Sequence, residues 1–289
     1  MIEYIGVDIG GTNIRVGAID ENEEIIYMQK ESTIENVNNS EELYLKILNL
    51  IKNVPDYEKG KAIGIGVPGA ISKEMKIMTA RNIPYLKEFP LVERLEKDLN
   101  KKVYLENDAK VATLAQAIKG CGKNYRIVCY ITLSTGVGGG VVIDKKIFEG
   151  SNNVAGYFSR MILDGENIAE NLLSGTALVK KANKILNDKV YSSKDVFEMS
   201  NSNSKIYKIV ENFKRNLTNL LLNIAITINP DIIILGGGVT KSCCYFINDV
   251  KDNFYLKTHS FAKNTKIEIA DLDEPGVLGA ALLGKKNKC

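Results

Sequence analysis

Tryptophan is absent from the 289 residues and histidine occurs once, at His259. A zinc site needs several histidines or cysteines at short spacing. The five cysteines, Cys121, Cys129, Cys243, Cys244 and Cys289, form no C-x-x-C pair. Their odd number and the length of the chain also argue against a disulfide framework. They read as packing or surface residues. No apolar run reaches the roughly 18–20 residues that span a bilayer. The opening MIEYIGVDIGGTN enters a strand directly, without the basic and apolar regions of a signal peptide. The expected location is therefore the cytoplasm, with no membrane partner. Formal net charge is only +3 and is spread along the chain, so no polybasic nucleic-acid surface is expected.

What is present is an ordinary globular composition, 45% hydrophobic and 25% charged. At roughly 100–200 residues per domain, the length fits two lobes. Residues 2–9, 14–20 and 24–30 alternate and read as an antiparallel meander. Helices are expected at 41–52, 91–99, 108–119, 175–186, 206–228 and 275–283, with strands at 61–67, 103–106, 126–133, 138–144, 231–235 and 266–270. Both halves begin with a strand, a glycine-rich turn and another strand, an internal duplication that implies two similar lobes.

Four motifs carry chemistry. In Asp8-Ile9-Gly10-Gly11-Thr12-Asn13 the glycines permit a turn with positive φ and bare backbone N–H groups toward an anion, and Asp8 offers oxygen to Mg²⁺, through water. A plain hairpin turn is the simpler reading. Ser134-Thr135-Gly136-Val137-Gly138-Gly139-Gly140 mirrors it in the second half; a glycine bulge is its simpler reading. Gly236-Gly237-Gly238 follows an apolar strand and suits close backbone approach to a flat ligand at a helix N-terminus, or merely a tight turn. In Glu106-Asn107-Asp108, Asp108 stands at or near a helix N-cap, and capping alone would explain it.

In order, these motifs resemble the ROK family of sugar kinases and sugar-responsive repressors, within the actin-like ATPase superfamily. Gly64-Ile65-Gly66-Val67-Pro68-Gly69, Asn82-Ile83-Pro84 and Glu170-Asn171-Leu172-Leu173-Ser174-Gly175-Thr176 match as well, so the resemblance covers nearly the whole chain. It implies an α/β, two-lobed actin-like ATPase (ribonuclease H-like) fold with a central cleft. Residues 1–118 with 272–289 would form the smaller lobe, residues 119–271 the larger, and the last helix would pack back on the first lobe. The resemblance makes Asp108 the catalytic base and places Gly69, Asn82, Asn107 and Asp108 against the sugar. It assigns ATP phosphates to Asp8, Gly10, Gly11, Thr12, Asn13, Thr132, Ser134, Thr135, Gly136 and Gly138, and adenosine to Gly236, Gly237 and Gly238. ATP and Mg²⁺ are the implied cofactors, a small sugar the partner, and a homodimer the implied assembly. An ordinary aspartate pKa of ~3.9 would keep Asp108 ionised at neutral pH.

The chain departs from the family at Ala155-Gly156-Tyr157-Phe158-Ser159-Arg160, where most members carry A-G-E-I-G-H and then a cysteine-rich zinc loop. Tyr157 stands for the sugar-contacting glutamate and Arg160 for the zinc-ligating histidine. Residues 161–167 contain no cysteine, so no zinc is expected. Both substitutes are candidate sugar contacts. Losing the glutamate suits an acceptor with a neutral 2-acetamido group, and the Ser134–Gly140 stretch resembles bacterial N-acetylmannosamine kinases. The expectation is 6-phosphorylation of N-acetylmannosamine, a step of sialic acid breakdown. Glucokinase, fructokinase and allose kinase are the alternatives within the family. A sugar-sensing regulator is the non-enzyme alternative, but family repressors carry a helix-turn-helix domain ahead of the first loop, which here begins at Asp8.

Overall fold

The computed structural model describes residues 1–80, 82–187 and 190–286; Cys289 lies outside the described residues. In chain order the elements are β1 (Tyr4–Ile9), β2 (Asn13–Ile19), β3 (Ile25–Ser32), α1 (Ser40–Lys52), β4 (Ala62–Val67), α2 (Leu91–Leu99), β5 (Lys102–Asn107) and α3 (Asp108–Ile118). There follow β6 (Ile127–Leu133), β7 (Val137–Ile143), β8 (Lys146–Ile147), β9 (Ile162–Asp164), β10 (Asn167–Ile168), α4 (Ala169–Leu173), α5 (Gly175–Leu186), α6 (Ser193–Met199) and α7 (Ser204–Thr227). The chain closes with β11 (Ile232–Gly236), α8 (Ile247–Lys257), β12 (Lys266–Ile269) and α9 (Pro275–Lys286).

These elements form two compact units. The first comprises residues 1–123, 145–155 and those from 271 on; the second comprises 124–144 and 156–270. These units and the division expected from sequence differ mainly at residues 145–155.

The first unit holds a sheet ordered β3-β2-β1-β4-β5. β1, β2 and β3 are the antiparallel meander that their alternation predicts, and β4 and β5 run parallel to β1. Side chains such as Ile5, Val7, Ile63, Ile65 and Val103 are buried in this sheet together with Leu43, Ile47 and Ile51 of α1. α9 lies on the sheet with its backbone nearly in contact. A Cβ built on Gly6 would meet the carbonyl oxygen of Val277 at 2.1 Å, and one on Gly64 that of Ala280 at 1.8 Å. Gly279 of α9 abuts α3 in the same way: a Cβ on it would lie 1.8 Å from Val111 O. Glycines in strands usually weaken them; here they let a helix backbone approach a sheet closely. Gly64→Ala is accordingly expected to lower stability by about 2 kcal/mol or more, because neither backbone can yield cheaply. Urea or thermal unfolding checks this, and an unchanged midpoint would mean that α9 is not seated there.

In the second unit β11 lies between β12 and β6, parallel to both, and β7 pairs antiparallel with β6. Ile233 and Leu235 of β11 pack with Leu217, Leu220, Leu221 and Ile224 of α7 in a core that also holds Phe197, Phe213, Phe246 and Phe254. Three details differ from the sequence reading. Two short helices, α4 and α6, arise where none is expected; α6 is fixed by a capping box between Ser192 and Asp195. After Gly237 the chain enters a 3-10 stretch, Gly238–Tyr245, broken at Ser242, before α8 begins. The N-terminus of a regular α-helix expected at that point is absent. Among the described residues no helix is long and apolar enough to cross a membrane.

Candidate functional site

The parallel strands of the first unit end together, and the candidate residues stand at those ends. Asp8 of β1 is in register with Gly66 of β4, and Gly66 with Glu106 of β5; one step on, Val67 pairs with Asn107. Ligands of open α/β sheets bind at such carboxyl ends. Gly66 is bare for a reason: a Cβ there would lie 2.8 Å from Val111 and 3.5 Å from the Cα of Asp108.

Asn107, not Asp108, is the N-cap of α3. Its Oδ1 accepts from the backbone N–H groups of Ala109 (3.0 Å) and Lys110 (3.3 Å). Its Nδ2 donates to the carbonyl of Gly69 (3.0 Å), and its own N–H donates to Glu106 Oε1 (2.7 Å). Because the asparagine caps the helix, Asp108 occupies the first helical position, where its Oδ1 accepts from Ala109 N–H at 2.8 Å. Burial pushes the Asp108 carboxyl above the usual aspartate range, opposed by the hydrogen bonds from backbone N–H groups and Asn107. The expectation of an ordinary pKa is therefore corrected, because the residue does not lie open to solvent.

Gly69 has φ +126°, and a Cβ there would overlap the carbonyl of Thr79 at 1.7 Å, so only glycine fits. Asn82 is exposed, and the glycine turn after β1 packs against it: a Cβ on Gly11 would come within 2.9 Å of the Asn82 Cβ. The turn is closed by Gly10 N–H donating to Asn13 O (2.8 Å). Neither Gly10 nor Gly11 has positive φ. Gly11 is required by space rather than by dihedral, which corrects the expectation. Thr33, missed in the sequence, braces the turn by donating its hydroxyl to Gly10 O (2.6 Å) and its N–H to Thr12 O (2.9 Å).

Asp8 lies against the first turn of α9; a Cβ on Gly276 would sit 2.7 Å from its Oδ2. Arg15, directly across the β1–β2 ladder, donates to Asp8 Oδ2 at 3.1 Å and pairs with Glu274 at 3.3 Å. Burial, then repulsion from Asp108, raise the Asp8 pKa to about 6 against the pull of Arg15. With the carboxylates of Asp108 and Glu274 near enough to act on it, the oxygen donors of Asp8 suit a hard divalent cation such as Mg²⁺. Arg15 and Glu274 were also missed; counting residues around the hairpin would have placed Arg15 opposite Asp8. Among the described residues no group of three or more His, Cys, Asp or Glu is placed to hold a metal ion.

The second unit carries the other glycine turn. Ser134 N–H donates to Gly136 O (2.9 Å), and Gly175 N–H at the start of α5 donates to Ser134 O (2.7 Å). Gly237, at φ +90°, is pressed on the end of β6: a Cβ there would meet Leu133 O at 2.4 Å and Thr132 Oγ1 at 2.6 Å. Thr132, Ser134, Gly136 and Gly237 are thus brought together, with Thr135 exposed at the tip. Gly136 and Gly238 border open space, where a Cβ would meet nothing within 4 Å. Gly139 serves packing instead, since a Cβ on it would collide with Phe158 at 2.5 Å. Gly138, next to it in β7, is half-buried. Gly236 accommodates the ring of Tyr130, since a Cβ on it would lie 2.3 Å from the Tyr130 hydroxyl. Tyr157 is half-buried and Arg160 exposed, at the two ends of a short 3-10 turn.

The profile of the ROK family matches residues 4–287. The chain belongs to the ROK family. A glucokinase of Halalkalibacterium halodurans is 28% identical over 99% of this chain and 96% of its own length. An N-acetylmannosamine kinase of Vibrio vulnificus is 27% identical over 82% of this chain and 83% of its own. The crystal structure of a ROK family glucokinase from Streptomyces griseus, in complex with glucose and AMPPNP, superposes with a TM-score of 0.82 at 25% identity, covering 98% of this chain and 99% of that one. The fold is accordingly the two-lobed, actin-like α/β fold of ROK kinases.

Proposed function

We propose that this ROK protein is a sugar kinase that transfers the γ-phosphoryl group of ATP to a hydroxyl of a hexose or hexosamine. The observation that carries the reading is the arrangement at the strand ends of the first unit. Asp108 is fixed at the first position of α3 by a backbone N–H, beside an asparagine tied to Gly69, and stands close enough to Asp8 to raise the pKa of that carboxyl. Phosphoryl transfer needs positioning and charge neutralisation more than covalent chemistry. Asp108 would accept the proton of the attacking hydroxyl, and Asn107, Gly69 and Asn82 would orient the sugar. Asp8 would hold Mg²⁺, directly or through water, and the ion when bound neutralises phosphate charge. The glycine turns after β1 and after β6 are suited to phosphate oxygens, and Gly236–Gly238 to the adenosine.

For the acceptor, full-length similarity to a glucokinase supports a neutral hexose such as glucose at least as strongly as N-acetylmannosamine. The second reading, phosphorylation of the 6-hydroxyl of N-acetylmannosamine, is favoured by Tyr157, which offers a ring edge and one hydroxyl where a carboxylate would clamp two sugar hydroxyls. A panel of glucose, fructose, allose, N-acetylglucosamine and N-acetylmannosamine in a coupled ADP-release assay separates them. On the first reading kcat/KM for glucose exceeds that for N-acetylmannosamine; the reverse order establishes the second. Turnover of none of the five removes both.

A further inference from the structure

Lys110 is fully buried in α3, two residues beyond the candidate base. A lysine is almost never fully buried unless paired, and the proposed reaction has no task for this one. Its Nζ donates to the side-chain oxygen of Asn153 (2.5 Å) and to the carbonyl of the same residue (2.9 Å), and lies 3.8 Å from Glu106 Oε1. Asn153 holds φ +56° and donates its own Nδ2 to Glu106 Oε1 (3.2 Å) and to Ile71 O (3.1 Å). Glu106 Oε1 in turn accepts the N–H of Asn107 at 2.7 Å. One oxygen of a buried carboxylate thus collects the N–H of the residue next to Asp108, the amide of Asn153 and the nearby ammonium.

We infer that Lys110 is a positioning residue: by pairing with Glu106 and clamping Asn153 it keeps Glu106 an acceptor for Asn107 N–H, and so sets the angle at which Asn107 and Asp108 meet the acceptor sugar. Burial raises the pKa of Glu106 and lowers that of Lys110, and each charge opposes the shift of the other. Without the ammonium the burial that disfavours a charged Glu106 is less opposed, and an O–H formed there competes with the peptide N–H that the carboxylate now accepts. The same network ties the β5–α3 junction to Ile71 after β4 and to residue 153, all within the first unit. A side chain that only filled space would need none of these polar partners.

The inference rests on the kinase reading and is tested beside it with the full chain. Lys110→Met is expected to lower kcat about 10- to 100-fold and to raise the sugar KM, with the ATP KM within about twofold, because the defect lies in acceptor geometry. The double variant Glu106→Gln/Lys110→Met restores a neutral acceptor of the same shape and should recover most of the lost turnover. Asn153→Gly, which keeps the positive φ and leaves both buried charges in place, should reproduce the split between sugar and ATP. Circular dichroism confirms that each variant is folded at the assay temperature. Wild-type kcat and sugar KM in Lys110→Met or Asn153→Gly would overturn the inference, as would a double variant no better than the single one. Asp108→Asn in the same assay guards the underlying reading: if that variant turns over normally, the kinase assignment of Asp108 fails, whatever the Lys110 variants do.

Discussion

Asp108→Asn is expected to abolish nearly all turnover, lowering kcat by about 10³-fold, while the sugar still binds with its dissociation constant changed less than about threefold. The asparagine keeps the size of the side chain and an oxygen for the Ala109 N–H now received at 2.8 Å, so α3 should begin as before. What it loses is the ability to take a proton from the attacking hydroxyl. Isothermal titration with the sugar and a coupled assay for ADP separate these two effects. A variant with near-normal kcat would remove Asp108 as base; one that no longer binds sugar would make it a binding residue first. Because burial raises the Asp108 pKa, kcat/KM should fall with decreasing pH at values above those of an exposed aspartate, since only the ionised form accepts a proton.

Asp8→Asn should separate stability from activity. Its carboxyl has a folded-state pKa of about 6, raised by burial and by Asp108. A carboxyl whose pKa is raised on folding stabilises the protein while protonated. That contribution is lost as pH climbs from the ordinary value of 3.8 through 6, so at pH 8 the ionised group costs the metal-free protein about 1–3 kcal/mol. The substituted amide carries no charge, leaves Arg15 its pairing with Glu274, and should raise the unfolding midpoint at pH 8 but not at pH 4. The same change removes the proposed Mg²⁺ ligand and should lower kcat about 100-fold or more, with a higher Mg²⁺ requirement. A variant equally active at low Mg²⁺, or less stable than wild type at pH 8, would refute this account. Charge strain retained at a functional site at the expense of stability is a familiar compromise.

The meander, the buried β11 and the long helices α5 and α7 were legible because period and punctuation agree in them. Gly175–Leu186 is matched residue for residue, with Ser174 capping it through Ala177 N–H. The short α4 and α6 were not legible, since five to seven residues carry too little periodicity. Within the site, the glycine turns and Glu106-Asn107-Asp108 announced themselves by residue type. Their supports did not. Thr33, Asn153 and Glu274 reach the site from remote positions, and only the folded chain brings them there. Lys110 was hidden differently: a lysine in a helix reads as a solvent residue, and nothing local says that α3 is enclosed along nearly its whole length. Gly10 and Gly11 show a third limit, as a pattern suggested special dihedrals where the structure needs only clearance, from Asn13 O for Gly10 and from Asn82 for Gly11.

The seat of α9 on the glycine faces of β1 and β4 has a consequence for biogenesis. The unit that opens the chain stays unfinished until residues beyond 271 have left the ribosome, while the second unit needs nothing beyond residue 270. The later-made half can therefore mature first, and the glycine face of the earlier sheet must meanwhile wait uncovered, a window in which chaperones or premature stops would leave their mark.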